Sequence, residues 1–170
     1  VIQQNYLKIV TESGFKLPNK YLDYAEHINK MKKALAVLDE GKVACNNDLL
    51  PANFIDDGKK IWLIDYEYSG NNDACFELGN IWSEADLPKE ALYDLVTAYY
   101  GKARPEKVAR SWLFALLAKY GWSLWASIQN SISEIEFDFW QWGMHRYDFA
   151  VSALNSKEFD LALDQVSIKS

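Results

Sequence analysis

A chain of 170 residues, 49% hydrophobic and 25% charged, has the length and balance of one globular domain able to bury a core. A net charge of −6 and a pI near 4.9 argue against a nucleic-acid partner, because a phosphate backbone calls for a basic face. The two cysteines sit in no CxxC or Cys/His cluster, which excludes a disulfide framework and a structural zinc site and fits a reduced, cytoplasmic setting.

VIQQNYLKIV at the start lacks the basic beginning, apolar core and small-residue cleavage site of a signal peptide. The most apolar run, WLFALLA at 112–118, meets Lys119 at once, so no membrane span is expected. The first residue is Val1 rather than Met, as in a piece of a longer protein. From Pro18 to Glu40 the apolar residues Leu22, Ala25, Ile28, Met31, Leu35 and Leu38 recur every three or four positions. That spacing predicts an amphipathic helix, entered through Pro18-Asn19 and closed by Gly41. A loop rich in turn formers, CNNDLLPANF at 45–54, comes next. Residues 53–55 and 60–64 read as two short strands, and the Asp56-Asp57-Gly58 between them is a hairpin signal. SGNND at 69–73 reads as irregular.

Helices are then predicted over about 74–85, from Pro88 to Tyr100 with Gly101 as the stop, and over 105–131. Ser133-Glu134-Ile135-Glu136 has the spacing of a capping box and predicts a further helix to about Leu154, followed by a short closing helix over 158–166. No repeat or linker interrupts the chain. The fold class expected is mainly α with one small β-hairpin, in a single domain over 1–170.

The opening loop contains Asp48-x-x-x-x-Asn53, and no other aspartate in the chain has an asparagine five residues on. In kinase-like phosphoryl transfer, such an Asp takes the proton of the substrate hydroxyl. The Asn five residues later binds Mg2+, and an Asp beyond the next hairpin binds metal between the ATP phosphates. Asp65, directly after IWLI, stands in that third position. A short hairpin folds the end of its second strand back beside Asn53, and oxygen donors of this kind suit Mg2+. Local hydrogen bonding within a turn is the alternative for the Asp–Asn pair alone.

NNDLLPANFI and IDYEYSGNNDACFELGN resemble the two signature segments of the choline and ethanolamine kinases, in the aminoglycoside-phosphotransferase-like branch of the protein-kinase fold. The resemblance covers the chain from the Pro18 helix to about Asn155. It implies the C-terminal lobe of that fold, with a catalytic loop and metal hairpin over 43–73 and a helical substrate-binding part over 74–155. The activity implied is ATP- and Mg2+-dependent phosphorylation of the hydroxyl of choline or ethanolamine. By it Asp48 is the catalytic base, Asn53 and Asp65 are the Mg2+ and nucleotide-phosphate ligands, and Asn47, Glu67 and Asn72 support them. Two positions depart from the family pattern. Asn46 stands where the family has His, a change that is either tolerated or loosens the loop, and Glu77 stands where it has Asp in FDLGN; both keep the polarity of the position.

Aromatic residues make up 15% of the chain. Trp122 and Trp125, three apart, share a helical face, and core packing is the ordinary explanation of such a pair. A quaternary ammonium has no N–H donor, however, and is recognised by aromatic faces around it. The stretch YGWSLWASIQNSISEIEFDFWQWGMHRYD resembles the family segment that builds such a box. By that match Trp122 and Trp125, then Phe139 and Trp142, line it, and Glu84 is the acidic residue beside the cation. His27 is expected to be solvated, His145 to be a surface residue and Arg146 to make an ion pair.

A glycine-rich phosphate loop and a strand lysine are not found in the 170 residues, so the N-terminal nucleotide-clamping lobe is expected to be missing from them and the piece to turn over little alone. The partners expected are ATP, a small cationic amino-alcohol and that missing lobe, with a homodimer left open. Two rival functions remain at this stage: a kinase of another small molecule (an aminoglycoside, thiamine, a sugar or a hydroxy-amino acid) and a non-catalytic helical module that binds a cation or a protein.

Overall fold

A computed structural model describes residues 2–37 and 40–167. Seven helices and four short strands follow one another among the described residues. The helices are α1 (Ile2–Glu12), α2 (Ala25–Leu35), α3 (Ala74–Glu84), α4 (Lys89–Tyr100), α5 (Pro105–Ile132), α6 (Phe139–Leu154) and α7 (Lys157–Ser167). Strands β1 (Val43–Cys45), β2 (Phe54–Asp56), β3 (Ile61–Leu63) and β4 (Gly70–Asn72) all lie between α2 and α3. The mainly helical class is as expected, and α1 is an element the sequence reading did not assign.

Three expectations about the elements are corrected. The helix from Pro18 to Glu40 is a 3-10 turn, Tyr21–Tyr24, followed by the shorter α2. Lys20 takes a left-handed φ of 58°, which breaks the helical path before Tyr21. After Leu35 the chain turns, and Leu35 passes its carbonyl to the Arg110 guanidinium at 2.6 Å instead of to a further helical turn. Leu22 is exposed rather than on the core face, and Leu38 lies outside the described residues.

The second correction concerns residues 133–138, which are not helical. Ser133 Oγ accepts from Ile135 N–H in a local turn, while the helix is capped at Asp138, whose carboxylate accepts from Gln141 N–H at 2.8 Å. Both residues are good N-cap types. The later one prevails because starting there sends Phe139, Gly143, Tyr147, Ala150 and Leu154 down one buried face.

The third is a second sheet. The hairpin β2–β3 forms as expected, with Phe54 opposite Leu63 and Asp56 opposite Ile61. In addition β1 pairs antiparallel with β4, Val43 opposite Asn72 and Cys45 opposite Gly70, in the segment that reads as irregular.

The chain forms two compact units. In the unit of residues 32–115 and 161–170, Trp82, Leu92 and Ala115 form a buried cluster packed by Leu87, Leu95, Val108 and Trp112. Gly79 lets α3 approach α5 closely, because a Cβ there would lie 2.1 Å from the Ser111 carbonyl oxygen. Arg110 of α5 also donates to Asp73 Oδ2 at 3.0 and 2.6 Å, tying the α3 cap to the same helix that holds Leu35.

In the unit of residues 1–31 and 116–160, Tyr21 and Tyr120 stack at 4.2 Å, and each hydroxyl donates to the other's backbone carbonyl. The Tyr147 hydroxyl donates to Asn19 O at 2.7 Å. His27 is half-buried here between Tyr24 and Phe159, not solvated, because both rings offer an apolar surface to its imidazole. His145 is exposed.

Candidate active site

The loop between β1 and β2 starts from two backbone amides held by one carboxylate. Glu77, in the first turn of α3, accepts from Asn46 N–H at 2.5 Å and from Asn47 N–H at 3.0 Å. Asn80, one helical turn on and 1% exposed, accepts from Leu49 N–H at 2.8 Å. Helix α3 therefore carries the loop on two side chains, which leaves the loop's own side chains available for other work. Neither residue was singled out for this on sequence. The signal was a pair of polar residues in FELGN with glycine between them, where a polar group on a buried helix needs a partner.

Asn46 is 4% exposed, and its amide spans two segments. Its Oδ1 accepts from Asp48 N–H at 2.9 Å, and its Nδ2 donates to the Asp65 carbonyl at 2.7 Å. Asn47, at φ 67°, donates to Tyr68 O at 3.0 Å and accepts from Asn72 Nδ2 at 2.9 Å, so Asn47 and Asn72 join the loop to the approach of α3. Asp65 also takes a left-handed φ, 61°. Asn and Asp tolerate that region best, and its recurrence in facing loops marks a locally constrained site.

Asn53 Nδ2 donates to the Asp48 carbonyl at 2.9 Å, and its own carbonyl accepts from Ile64 N–H at 2.9 Å. The hairpin thus returns the chain to Asn53 one residue before Asp65. Burial, then the nearby carboxylates of Asp65, Glu84 and Glu67, push the Asp48 carboxyl above the ordinary aspartate range, while hydrogen bonding from Asn53 offsets part of this. Asp48, Asn53, Asp65, Glu67 and Glu84 are all in the same compact unit. Glu84 ends α3 and its carboxylate bears on Asp48.

The donor set fits Mg2+. With its amide nitrogen committed to Asp48, Asn53 has Oδ1 to offer a cation, and the carboxylates of Asp65 and Glu67 lie near enough to act on Asp48. No group of three or more His, Cys, Asp or Glu among the described residues converges as a metal cage. A sparse set of oxygen donors is what a cation sharing its shell with phosphate and water requires.

The aromatic residues occupy the other unit. Trp125 is the hub, with centroids at 5.8 Å from Trp122, 5.7 Å from Phe139 and 5.6 Å from Trp142. Phe137 extends the group, 4.9 Å from Phe139. Trp122, Trp125 and Trp142 are half-buried and Phe139 is buried. Trp142 already carries a cation, because the Arg146 guanidinium lies 3.4 Å from its ring centroid.

This arrangement, a helix-borne loop followed by a short hairpin, is that of the protein-kinase-like fold. The chain belongs to the choline/ethanolamine kinase family, whose profile matches residues 2–108. It is 36% identical over 139 residues to human ethanolamine kinase 2, an alignment covering 69% of this chain and 36% of that one. A choline/ethanolamine kinase family protein from Mesorhizobium loti superposes with a TM-score of 0.91 at 28% identity, over 99% of this chain and 58% of its own. The choline kinase LicA from Streptococcus pneumoniae gives a TM-score of 0.74 at 26% identity, over 90% and 53%, and LicA has also been solved in complex with AMP. The chain therefore spans little more than a third of the human relative it matches. Among the described residues no helix is long and apolar enough to cross a membrane.

Proposed function

We propose that the full-length protein transfers the γ-phosphoryl group of ATP to the hydroxyl of ethanolamine or choline, with Asp48 as the base. The observation that supports this reading is the bonding of Asn53 to the Asp48 carbonyl and of Ile64 N–H to the Asn53 carbonyl, which returns the hairpin to the loop one residue before Asp65, together with the upward push on the Asp48 carboxyl from burial and from Asp65, Glu84 and Glu67. Asp48 accepts the proton of the substrate hydroxyl as its oxygen attacks the phosphorus in line, and a basicity above that of ordinary aspartate favours the transfer. Asn53 and Asp65 hold Mg2+, with Glu67 in support; the ion when bound neutralises charge on the phosphates. Trp122 and Trp125, with Phe139, are the residues assigned to the ammonium group, through their aromatic faces.

The glycine-rich loop and strand lysine that the resemblance implies for gripping ATP are not in these 170 residues. Activity is accordingly assigned to this chain together with a nucleotide-clamping lobe. Its two free cysteines, both buried, are in keeping with a cytoplasmic setting. The test is Mg2+-dependent ATP consumption by the full-length protein with each amino-alcohol. Asp48→Ala and Asp65→Ala are each expected to lower kcat by at least about 10²-fold. Turnover of sugars or aminoglycosides but of neither amino-alcohol would overturn the substrate assignment, and unchanged turnover in Asp48→Ala would overturn the base.

A further inference from the structure

We propose that Asn46 is a positioning residue whose amide latches the backbone of the base-bearing loop to the backbone that carries Asp65. The proposal deepens the phosphotransfer reading and rests on it for its catalytic consequence. Its geometry stands on three observations. The two bonds have ordinary lengths, 2.9 Å from Asp48 N to Oδ1 and 2.7 Å from Nδ2 to Asp65 O, and the second links residues 19 apart in sequence. They also fix the amide's orientation, since the flipped form would set an NH2 against an N–H and an oxygen against a carbonyl. Finally, Asn46 is 4% exposed and its own N–H is held by Glu77 at 2.5 Å, so the amide projects from a pinned backbone.

A donor and an acceptor on one short side chain are what this place demands. One flank presents an N–H and the other a C=O, and both neighbours are residues whose carboxylates must keep their separation for the reaction. The substitution Asn46→Asp would keep the acceptor for Asp48 N–H and turn an oxygen toward the Asp65 carbonyl. Alanine would remove both bonds. An imidazole can present one donor and one acceptor nitrogen.

Two measurements test the latch in the full-length protein. Amide hydrogen exchange reads each bond without reference to activity. Asn46→Ala is expected to lose at least about tenfold protection at Asp48 N–H, the equivalent of one net hydrogen bond. Asn46→Asp is expected to retain Asp48 protection to within about threefold while exchange quickens across residues 64–66. Kinetics then reads the consequence. Asn46→Asp is expected to lower kcat at least about tenfold and to raise the Mg2+ concentration for half-maximal rate, with KM for the amino-alcohol within about twofold, and Asn46→His is expected to recover most of what Asn46→Ala loses. Unaltered exchange at Asp48 in Asn46→Ala, or a folded Asn46→Asp enzyme with kcat within about twofold of the parent, would overturn the proposal. If the parent protein turns over neither amino-alcohol, the phosphotransfer reading fails and the exchange data alone decide the latch.

Discussion

Glu77→Gln is the sharpest probe of how the candidate site is held. Its carboxylate accepts two consecutive backbone amides, Asn46 N–H at 2.5 Å and Asn47 N–H at 3.0 Å, and Asn46 is buried. Hydrogen bonds to a charged acceptor each contribute about 1.5–3 kcal/mol. Glutamine keeps one oxygen, but it sets an NH2 against the other amide, so one bond is lost, one N–H is left unpaired and the remaining bond loses its charge. The expected cost is about 2–4 kcal/mol. For a domain of this size each kcal/mol lowers Tm by about 2–4 °C, so a fall of about 4–16 °C is expected. Thermal melting followed by circular dichroism measures it, and urea unfolding with an unchanged m-value confirms that the native state has lost stability. A Tm within about 1 °C of the parent would refute the reasoning, since two amides could not then depend on this carboxylate.

The aromatic group yields a contrast. Trp125→Ala, at the hub of three rings, is expected to raise KM for the amino-alcohol at least about tenfold, whereas Trp142→Ala, whose ring already carries Arg146, is expected to raise it no more than about threefold. Equal effects in steady-state kinetics would show that Arg146 leaves Trp142 open to substrate. Gly79→Ala places a Cβ 2.1 Å from the Ser111 carbonyl oxygen and is expected to cost about 1–3 kcal/mol in urea unfolding, since backbone rather than a flexible side chain must yield. Glu40 is held below the ordinary glutamate range by hydrogen bonding from Lys107 at 2.6 Å, with Arg104 adding to it. Because the folded value is the lower one, its contribution is complete above the unfolded value and disappears as pH falls through the folded one. Glu40→Gln is therefore expected to be less stable than the parent at neutral pH, with the difference vanishing as pH falls through the folded value, as read from unfolding curves at each pH.

The legible parts of the chain were those with a period or a fixed punctuation. The α5 helix and the β2–β3 hairpin could be read because apolar spacing and Asp-Asp-Gly act locally, and α4 because Gly101 takes a φ of 72° after Tyr100. The β1–β4 pairing was not legible. GNN has neither the alternation nor the β-branched residues of a strand, and its partner lies far back along the chain, before the hairpin, so a tertiary pairing decides it. The start of α6 was misread because two capping residues, Ser133 and Asp138, compete and only the buried face selects between them. At the site, the spacing of Asp48, Asn53 and Asp65 could be read, because a hairpin of fixed length relates them. The anchoring by Glu77, Asn80 and Asn46 was missed: polar side chains on α3 signal that partners are needed, but those partners are backbone amides and carbonyls that no residue type identifies.

The two departures from the family pattern, Asn46 and Glu77, meet at a single hydrogen bond, the side chain of one holding the backbone of the other. A lineage that altered one of them would change the background in which the other is judged. Their effects are therefore expected to be non-additive, and restoring the family's histidine or its aspartate alone is not the same experiment as restoring both. The anchoring of the loop can thus be altered without any substitution at Asp48, Asn53 or Asp65 themselves.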